Sequence, residues 1–210
     1  MRKIGALLMM LAVAMTGFAQ DKTADEYKNE GNEYVRNKQF QQALESYQKA
    51  ISLWDADKLD AKTVYNAADC ARRIKDYKTA KELFTKSIEM EQKPDMATYY
   101  IATILKAENN DEAYLETLTK GYEKYTEGKA AAFFKKDLGK YYRDAANNKY
   151  KEGAAVLQEA QKAKPEQYDE IKARAKAKFE EAKPLVEKAI SINAEDQNAK
   201  AILDLINKQL

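Results

Sequence analysis

Small and aromatic residues recur at fixed intervals in the N-terminal half of the chain, and this recurrence limits the folds that the chain can adopt. In a first unit numbered from Ala24, small residues stand at positions 8, 20 and 27 and tyrosines at positions 11 and 24. These residues are Gly31, Ala43, Ala50, Tyr34 and Tyr47. A second unit begins at Ala61, and a third begins 34 residues later at Asp95. Because apolar residues within each unit keep helical spacing, each unit predicts two amphipathic helices that pack together.

This pattern resembles the tetratricopeptide repeat (TPR) family over residues 24 to about 193. The units fall at about 24–57, 61–94, 95–128, 130–165 and 166–195. The resemblance implies an all-α, right-handed solenoid of about five helix hairpins, with the first helix of each hairpin on the concave wall. It also implies a role in protein–protein recognition. One hairpin cannot bury its own apolar face, and stacked hairpins leave a long groove for a partner.

The fourth and fifth units follow the pattern less closely than the first two. In the fourth unit we expect a turn at 145–148 between two helices. In the fifth, Pro184 fits only the first turn of a helix, where backbone N–H groups have no partner, so we expect a second helix to begin near Glu181. Residues 196–210 carry apolar residues on one side and predict a helix that caps the solenoid against water.

The N-terminus has the features of a secretory signal peptide. Two basic residues precede an apolar run over 4–15, and a small-x-small cleavage site ends at Ala19. We expect cleavage after Ala19, which leaves residues 20–210 as the exported protein with no membrane span. An uncleaved anchor is the alternative, although the apolar run is short against the roughly 20 residues that span a bilayer. The leader and the habits of the family indicate the periplasm of a Gram-negative bacterium, with an extracellular location as the alternative.

Charge and composition exclude several classes of function. The leader carries two of the 36 basic residues and none of the 34 acidic ones, so residues 20–210 are formally neutral. A nucleic-acid-binding protein should instead carry an excess of cations. The sequence has no histidine and one cysteine, Cys70, which excludes disulfides within the chain, histidine-based nucleophile dyads and thiolate metal clusters. We therefore predict no enzymatic activity, no cofactor and no metal site, and interpret Cys70 as a packed hydrophobe.

One set of candidate binding residues comes from TPR domains that clamp a C-terminal carboxylate. The resemblance implies five polar positions, of which Lys28, Asn32 and Asn66 occupy three. Met96 and Tyr100 occupy the other two, and neither carries the positive charge that an ion pair with a carboxylate needs. The simpler interpretation is a solvated Lys28 and two asparagines of the common repeat pattern. Alternatively, Asn32 and Asn66 hold the backbone amides of a peptide.

The other inward positions of the first helices bring tyrosines and charged residues together. The candidate partner-binding residues there are Tyr65, Asp69, Arg72, Arg73, Tyr99, Tyr100, Lys106, Lys136, Lys140 and Arg143. Tyrosine and arginine are common at interface hot spots because both combine a large contact area with a polar group. We therefore expect the groove to bind an extended or helical segment with acidic and apolar residues. The alternative is that aromatic residues such as Tyr99 and Phe133 pack between repeats.

These observations predict a non-enzymatic interaction module or scaffold of the cell envelope, with a protein or peptide as its partner. Two alternatives remain open. An envelope hydrolase or glycan-binding α-solenoid would place an acidic pair in a cleft flanked by aromatics, whereas a scaffold would have an open groove. A self-stacking structural protein would associate end to end through its repeats. The expected oligomeric state is a monomer or a weak homo-oligomer.

Overall fold

The computed structural model describes residues 22–210 and contains no strand within that range. The predicted leader at 1–19 lies outside the described residues. Nine α-helices follow in order: α1 (Ala24–Arg36), α2 (Phe40–Leu53), α3 (Ala61–Arg73), α4 (Tyr77–Glu89), α5 (Pro94–Ala107), α6 (Asp111–Lys124), α7 (Ala131–Glu159), α8 (Tyr168–Ile192) and α9 (Gln197–Asn207). Single-turn 3-10 helices lie before α3 and between α7 and α8. The predicted all-α solenoid is confirmed.

Each helix packs mainly against its neighbours in the chain. The pairs α1–α2, α3–α4 and α5–α6 form three hairpins, and α2–α3, α4–α5 and α6–α7 join them. This one-dimensional contact pattern is that of a solenoid, in which each unit buries the apolar face of the next. The core accordingly runs along the stack as three clusters centred on Phe84, Phe134 and Phe179.

Local signals define where the helices begin and end. Thr23 caps α1 through a capping box with Glu26, and aspartate or asparagine side chains cap α3, α4, α6 and α9. These caps satisfy amide groups that have no partner within the helix. The turns inside the three hairpins share one geometry, with a left-handed residue two positions after the helix ends: Lys38, Lys75 and Asn109, with φ of 59°, 65° and 57°.

The small and aromatic positions of the first unit pack as the sequence predicts. Tyr47 is buried, and its ring lies where a β-carbon on Gly31 would stand, 2.6 Å from the nearest ring carbons. Ala43 and Ala50 are fully buried on the same helix as Tyr47. A larger residue at position 31 would therefore separate α1 from α2.

The predicted turn at 145–148 is wrong, because α7 continues through it as one helix of 29 residues. The segment is Ala-Ala-Asn-Asn and holds neither glycine nor proline to end a helix. Ala146 is fully buried in the cluster that α7 forms with α8, so packing supports the helical conformation at this point. The second half of the solenoid is therefore built on one long hairpin.

The predicted start of a helix near Glu181 is also wrong. Helix α8 runs unbroken for 25 residues with Pro184 inside it. Proline removes one backbone hydrogen bond, to the carbonyl of residue 180, and crowds that carbonyl. On the opposite side, Ala182 and Val186 are fully buried against α7 and α9, and this burial offsets the cost. Helix α9 forms where the capping helix is predicted and buries Ala199 and Ile206.

Within residues 22–210, none of the helices combines the length and the apolar character that crossing a bilayer would require.

Candidate functional site: the surface of the first helices

The helices α3, α5 and α7 lie side by side, and the predicted site residues contact one another across them. The guanidinium carbon of Arg72 on α3 lies 4.3 Å from the ring centroid of Tyr100 on α5. From α5, the ring of Tyr99 stacks on Phe133 of α7 at 5.1 Å, and its hydroxyl donates a 2.9 Å hydrogen bond to Asp137. We call the exposed side of α3, α5 and residues 131–144 of α7 the first-helix surface.

Asp69 holds both arginines of α3 at one edge of this surface. Its carboxylate accepts hydrogen bonds of 3.1 and 2.6 Å from Arg72 and one of 2.7 Å from Arg73. The hydrogen bond to Asp69 raises the pKa of Arg73. The guanidinium of Arg73 also lies 4.8 Å from the ring centroid of Phe40. Carboxylate and ring contacts together fix both guanidinium planes. The group of Asp69, Arg72 and Arg73 keeps one net positive charge.

An open cleft of about 710 Å³ lies between α3, α5 and the start of α7. Aromatic and apolar side chains line it together with three charged residues: Tyr65, Met96, Tyr100, Phe133, Lys93, Asp95 and Lys129, with Gly128 beside them. Of the rings, Tyr65 is buried and Phe133 is 43% exposed. Burial raises the pKa of Tyr65, so its hydroxyl stays protonated. We call this feature the aromatic cleft.

Two loop segments give the aromatic cleft its basic edge. Lys93 adopts a left-handed conformation with φ of 47° just before Pro94 opens α5, and its amine lies 4.6 Å from the ring centroid of Tyr65. The loop before α7 turns at Gly128, with φ of 90°. The amide of Ala130 then donates a 3.2 Å hydrogen bond to Asp95, which ties this loop to α5. Lys93 and Lys129 are thereby brought to one cleft.

A second cleft, of about 490 Å³, lies between α7 and the turn that joins α8 to α9. Its basic lining residues are Lys135, Lys136, Lys140 and Arg143, and Asn193 and Asp196 face them. We call it the basic cleft. Arg143 makes a 2.7 Å ion pair with Asp196, and Lys140 makes one of 2.6 Å with Asp144. Within residues 22–210, Lys135 and Lys136 form no ion pair.

The positions of the carboxylate clamp do not converge on one point. Lys28 pairs with Asp25 at 2.8 Å, and its amine lies 5.5 Å from the ring centroid of Trp54. Asn32 accepts a 2.8 Å hydrogen bond from the Tyr47 hydroxyl, which also faces Asn66. The two asparagines thus support a buried tyrosine. Met96 and Tyr100 belong to the aromatic cleft instead.

Two other residues considered in the sequence lie outside both clefts. Lys106, at the end of α5, has its amine 5.2 Å from the ring centroid of Tyr114. Cys70 is 2% exposed, and burial raises the pKa of its thiol to about 12. The interpretation of Cys70 as a packed hydrophobe is confirmed. At neutral pH such a thiol is protonated and therefore a poor nucleophile.

Sequence reasoning missed Lys93 and Lys129 of the aromatic cleft and Lys135 of the basic cleft. Helical periodicity assigns inward positions only within helices, whereas Lys93 and Lys129 lie in loops, and Lys135 lies on α7 outside the inward positions that the pattern predicts. Pro94 was a usable signal, because a proline that opens a helix fixes the path of the residue before it. No local signal indicated that the loop at 128–130 folds back onto α5.

Comparison with known families identifies the first two hairpins. Residues 24–55 and residues 61–94 each match a tetratricopeptide repeat model. The chain contains tetratricopeptide repeats. These two TPR units correspond to α1–α2 and α3–α4, the hairpins in which the sequence pattern is clearest. Repeats of this family are typical of protein-interaction modules.

Solved structures are similar to this chain over about nine-tenths of its length. A TPR repeats protein from Bacteroides fragilis is 23% identical, with 89% of this chain and 99% of that chain covered and a TM-score of 0.54. A putative protein binding protein from Bacteroides ovatus is 16% identical, with 90% and 98% covered and a TM-score of 0.46. YrrB, described as a TPR protein with an unusual peptide-binding site, is 22% identical, with 89% and 92% covered and a TM-score of 0.45. The first of these shows the same fold. Comparison with curated protein sequences finds no significant match.

Proposed function

We propose that this TPR protein is a non-enzymatic recognition module of the cell envelope, and that its first-helix surface holds a segment of a partner protein. The segment is extended or helical and carries apolar and acidic residues. It lies across α3, α5 and the first half of α7. A ring or aliphatic side chain of the partner enters the aromatic cleft.

The observation that carries the proposal is the aromatic cleft itself. It offers the partly exposed ring of Phe133 beside the buried ring of Tyr65, and so provides an apolar anchor point with an open entrance. Interface energies concentrate at such points, where an aromatic or aliphatic group is desolvated in a pocket. The rings are already held by neighbours, Tyr100 by Arg72 and Phe133 by Tyr99, so binding orders few side chains.

The charges around the two clefts support an acidic partner. Six basic residues line them against two acidic ones: Lys93, Lys129, Lys135, Lys136, Lys140 and Arg143 against Asp95 and Asp196. Residues 20–210 are neutral overall, so this excess is local to the groove. A local field of one sign attracts and orients a partner of the other sign.

A peptide selection with two matched variants tests the proposal. Peptides are selected from a random displayed library on the immobilised protein, and their affinities are measured by fluorescence anisotropy. Truncating Phe133 to alanine should weaken binding at least about tenfold, the loss expected for a central aromatic contact. Tyr168→Ala is the control, because Tyr168 is 41% exposed, close to the 43% of Phe133, but lies on α8. Equal effects of the two substitutions would overturn the proposal.

The location in the envelope is tested separately. The chain with a C-terminal tag is expressed in a Gram-negative host, and the tagged protein of the periplasmic fraction is sequenced from its N-terminus. We expect it to begin at Gln20, the residue after the proposed cleavage site. Recovery from the cytoplasm with residues 1–19 intact would contradict export.

A further inference from the structure

The aromatic cleft and the basic cleft adjoin along one side of α7. Phe133, Lys136 and Lys140 are spaced by three and four residues, so their side chains leave the helix on neighbouring lines of one face. All three are exposed. Phe133 lines the aromatic cleft, and the two lysines line the basic cleft. A ligand anchored at Phe133 therefore meets the lysines next if it follows α7.

The rise of helix α7 sets the distance between the apolar anchor point and the lysines of the basic cleft. With a rise of about 1.5 Å per residue, Lys136 lies roughly 5 Å and Lys140 roughly 10 Å along the axis from Phe133. An extended peptide advances about 3.3 Å per residue. The two lysines are thus about one to three extended residues from the apolar anchor point.

Two lysines of the basic cleft can form an ion pair with a carboxylate of the ligand. Lys136 forms no ion pair within residues 22–210. The Lys140–Asp144 pair is about half exposed on both sides, 52% and 49%, and such pairs contribute little. Arg143 differs, because its partner Asp196 is only 10% exposed and also caps α9. Arg143 therefore shapes the cleft, while Lys136 and Lys140 face the ligand.

We infer that the partner segment is bipartite: a large apolar or aromatic anchor in the aromatic cleft and an acidic run over Lys136 and Lys140, separated by about one to three residues. This inference rests on the proposed function and adds the order and spacing of the recognised motif. The spacing gives the site a selectivity that either cleft alone would lack. A peptide whose linker is too short or too long cannot place its anchor and its acidic run in the two clefts at the same time.

Synthetic peptides test the spacing directly. Fluorescein-labelled peptides carry one Phe-Leu anchor and one run of glutamates, made in both orders and joined either directly or by serine-glycine spacers of about two or about six residues. Their affinities for the protein are measured by anisotropy. In one of the two orders, the peptide with the spacer of about two residues should bind roughly tenfold more tightly than the other two peptides. Replacing its glutamates by glutamine should remove that advantage.

Two double variants of the protein test whether a loss of binding comes from the lost lysine charges or from unfolding. Lys136→Gln with Lys140→Gln should weaken the best glutamate peptide roughly tenfold and leave its glutamine counterpart unchanged. Lys172→Gln with Lys176→Gln is the control, because both lysines are exposed on α8, away from the two clefts. Circular dichroism should show both double variants folded.

Each contrary result has its own meaning. Binding that depends on Phe133 but not on the glutamates or the spacer would overturn the bipartite motif and leave the proposed function standing. Peptide binding that depends neither on Phe133 nor on the glutamates and the spacer would overturn both the bipartite motif and the proposed function. Anionic phosphatidylglycerol vesicles that bind through Lys136 and Lys140 in place of the peptides would overturn the motif in favour of a lipid surface.

Discussion

Arg72 of α3 stacks on the ring of Tyr100 of α5, with 4.3 Å between the guanidinium carbon and the ring centroid. The contact joins the second and third hairpins on the first-helix surface. Asp69 holds the same guanidinium from its own helix through two hydrogen bonds. The wall of the aromatic cleft is therefore set before any partner binds, which lowers the entropy lost on binding.

This contact predicts that truncating Arg72 lowers the stability of the protein. Arg72→Ala removes the cation–π contact and one partner of Asp69, and should lower the free energy of unfolding by about 1 kcal/mol. Arg72→Lys keeps the charge but loses the planar stack, so it should fall between the wild type and the alanine variant. Urea unfolding followed by circular dichroism measures all three. Equal stability of Arg72→Ala and the wild type would show that the stack does not support the groove.

Two glycines of α7 should respond in opposite directions to alanine. A β-carbon on Gly153 would stand 2.7 Å from the ring of Phe179, which is fully buried, whereas one on Gly139 would meet no atom closer than 3.6 Å. Gly153→Ala should destabilise by about 1–3 kcal/mol through overpacking. Gly139→Ala should be neutral or stabilise by up to about 1 kcal/mol, from helix propensity. Thermal unfolding of both variants checks the pair, and a stable Gly153→Ala would contradict the packing of α7 on α8.

Pro184 should be a point of strain within α8. It is exposed, and the helix continues through it. Pro184→Ala restores a backbone donor and removes the clash with the preceding turn, so it should stabilise the protein by about 1–3 kcal/mol. The urea midpoint measures the gain. Destabilisation by this substitution would mean that α8 is interrupted near residue 184, as the sequence alone suggests.

Stability should fall at alkaline pH because burial raises the pKa of several acidic groups. The pKa of the Cys70 thiol rises from 9.0 to about 12, and those of Tyr47 and Tyr114 rise from 10.0 to about 12. Below about pH 9 both the folded and the unfolded state keep these protons, so the stability is fully present. From there toward pH 12 the unfolded state loses them first, and the free energy of unfolding declines. Urea unfolding at several alkaline pH values measures the decline. Cys70→Ala should reduce the slope, and a slope unchanged in that variant would contradict the burial of the thiol.

The first two hairpins could be predicted because their signals are local. Gly31 and Tyr47 lie on two helices joined by a short turn, so the spacing of a small and an aromatic residue determines the contact. The predicted small positions are buried in the structure. A pattern of this kind holds wherever one hairpin contains both halves of the contact.

The long hairpin could not be predicted because long-range packing decides it. The segment 145–148 has residues that suit either a helix or a turn, and burial of Ala146 against α8 favours the helix. At Pro184 a local rule indicates a helix start, but burial of Ala182 and Val186 on the opposite face outweighs it. Neither burial is visible before the two helices are placed together.

The sequence predicts only the part of the candidate site that lies on helices. Helical periodicity found Tyr65 and Tyr100, which line the aromatic cleft, and Lys136 and Lys140, which line the basic one. It could not find Lys129, because that residue reaches the cleft through the turn at Gly128 and the hydrogen bond between Ala130 and Asp95. Loop paths depend on such tertiary contacts.

The most direct test of the central claim is an NMR titration of the isotope-labelled protein with a library-selected peptide. If the partner lies on the first-helix surface, the largest shift changes should fall in α3, α5 and residues 131–144 of α7, with the side chains of Tyr100 and Phe133 among them. Shift changes confined to α8 and α9, or to α2, α4 and α6, would contradict the claim.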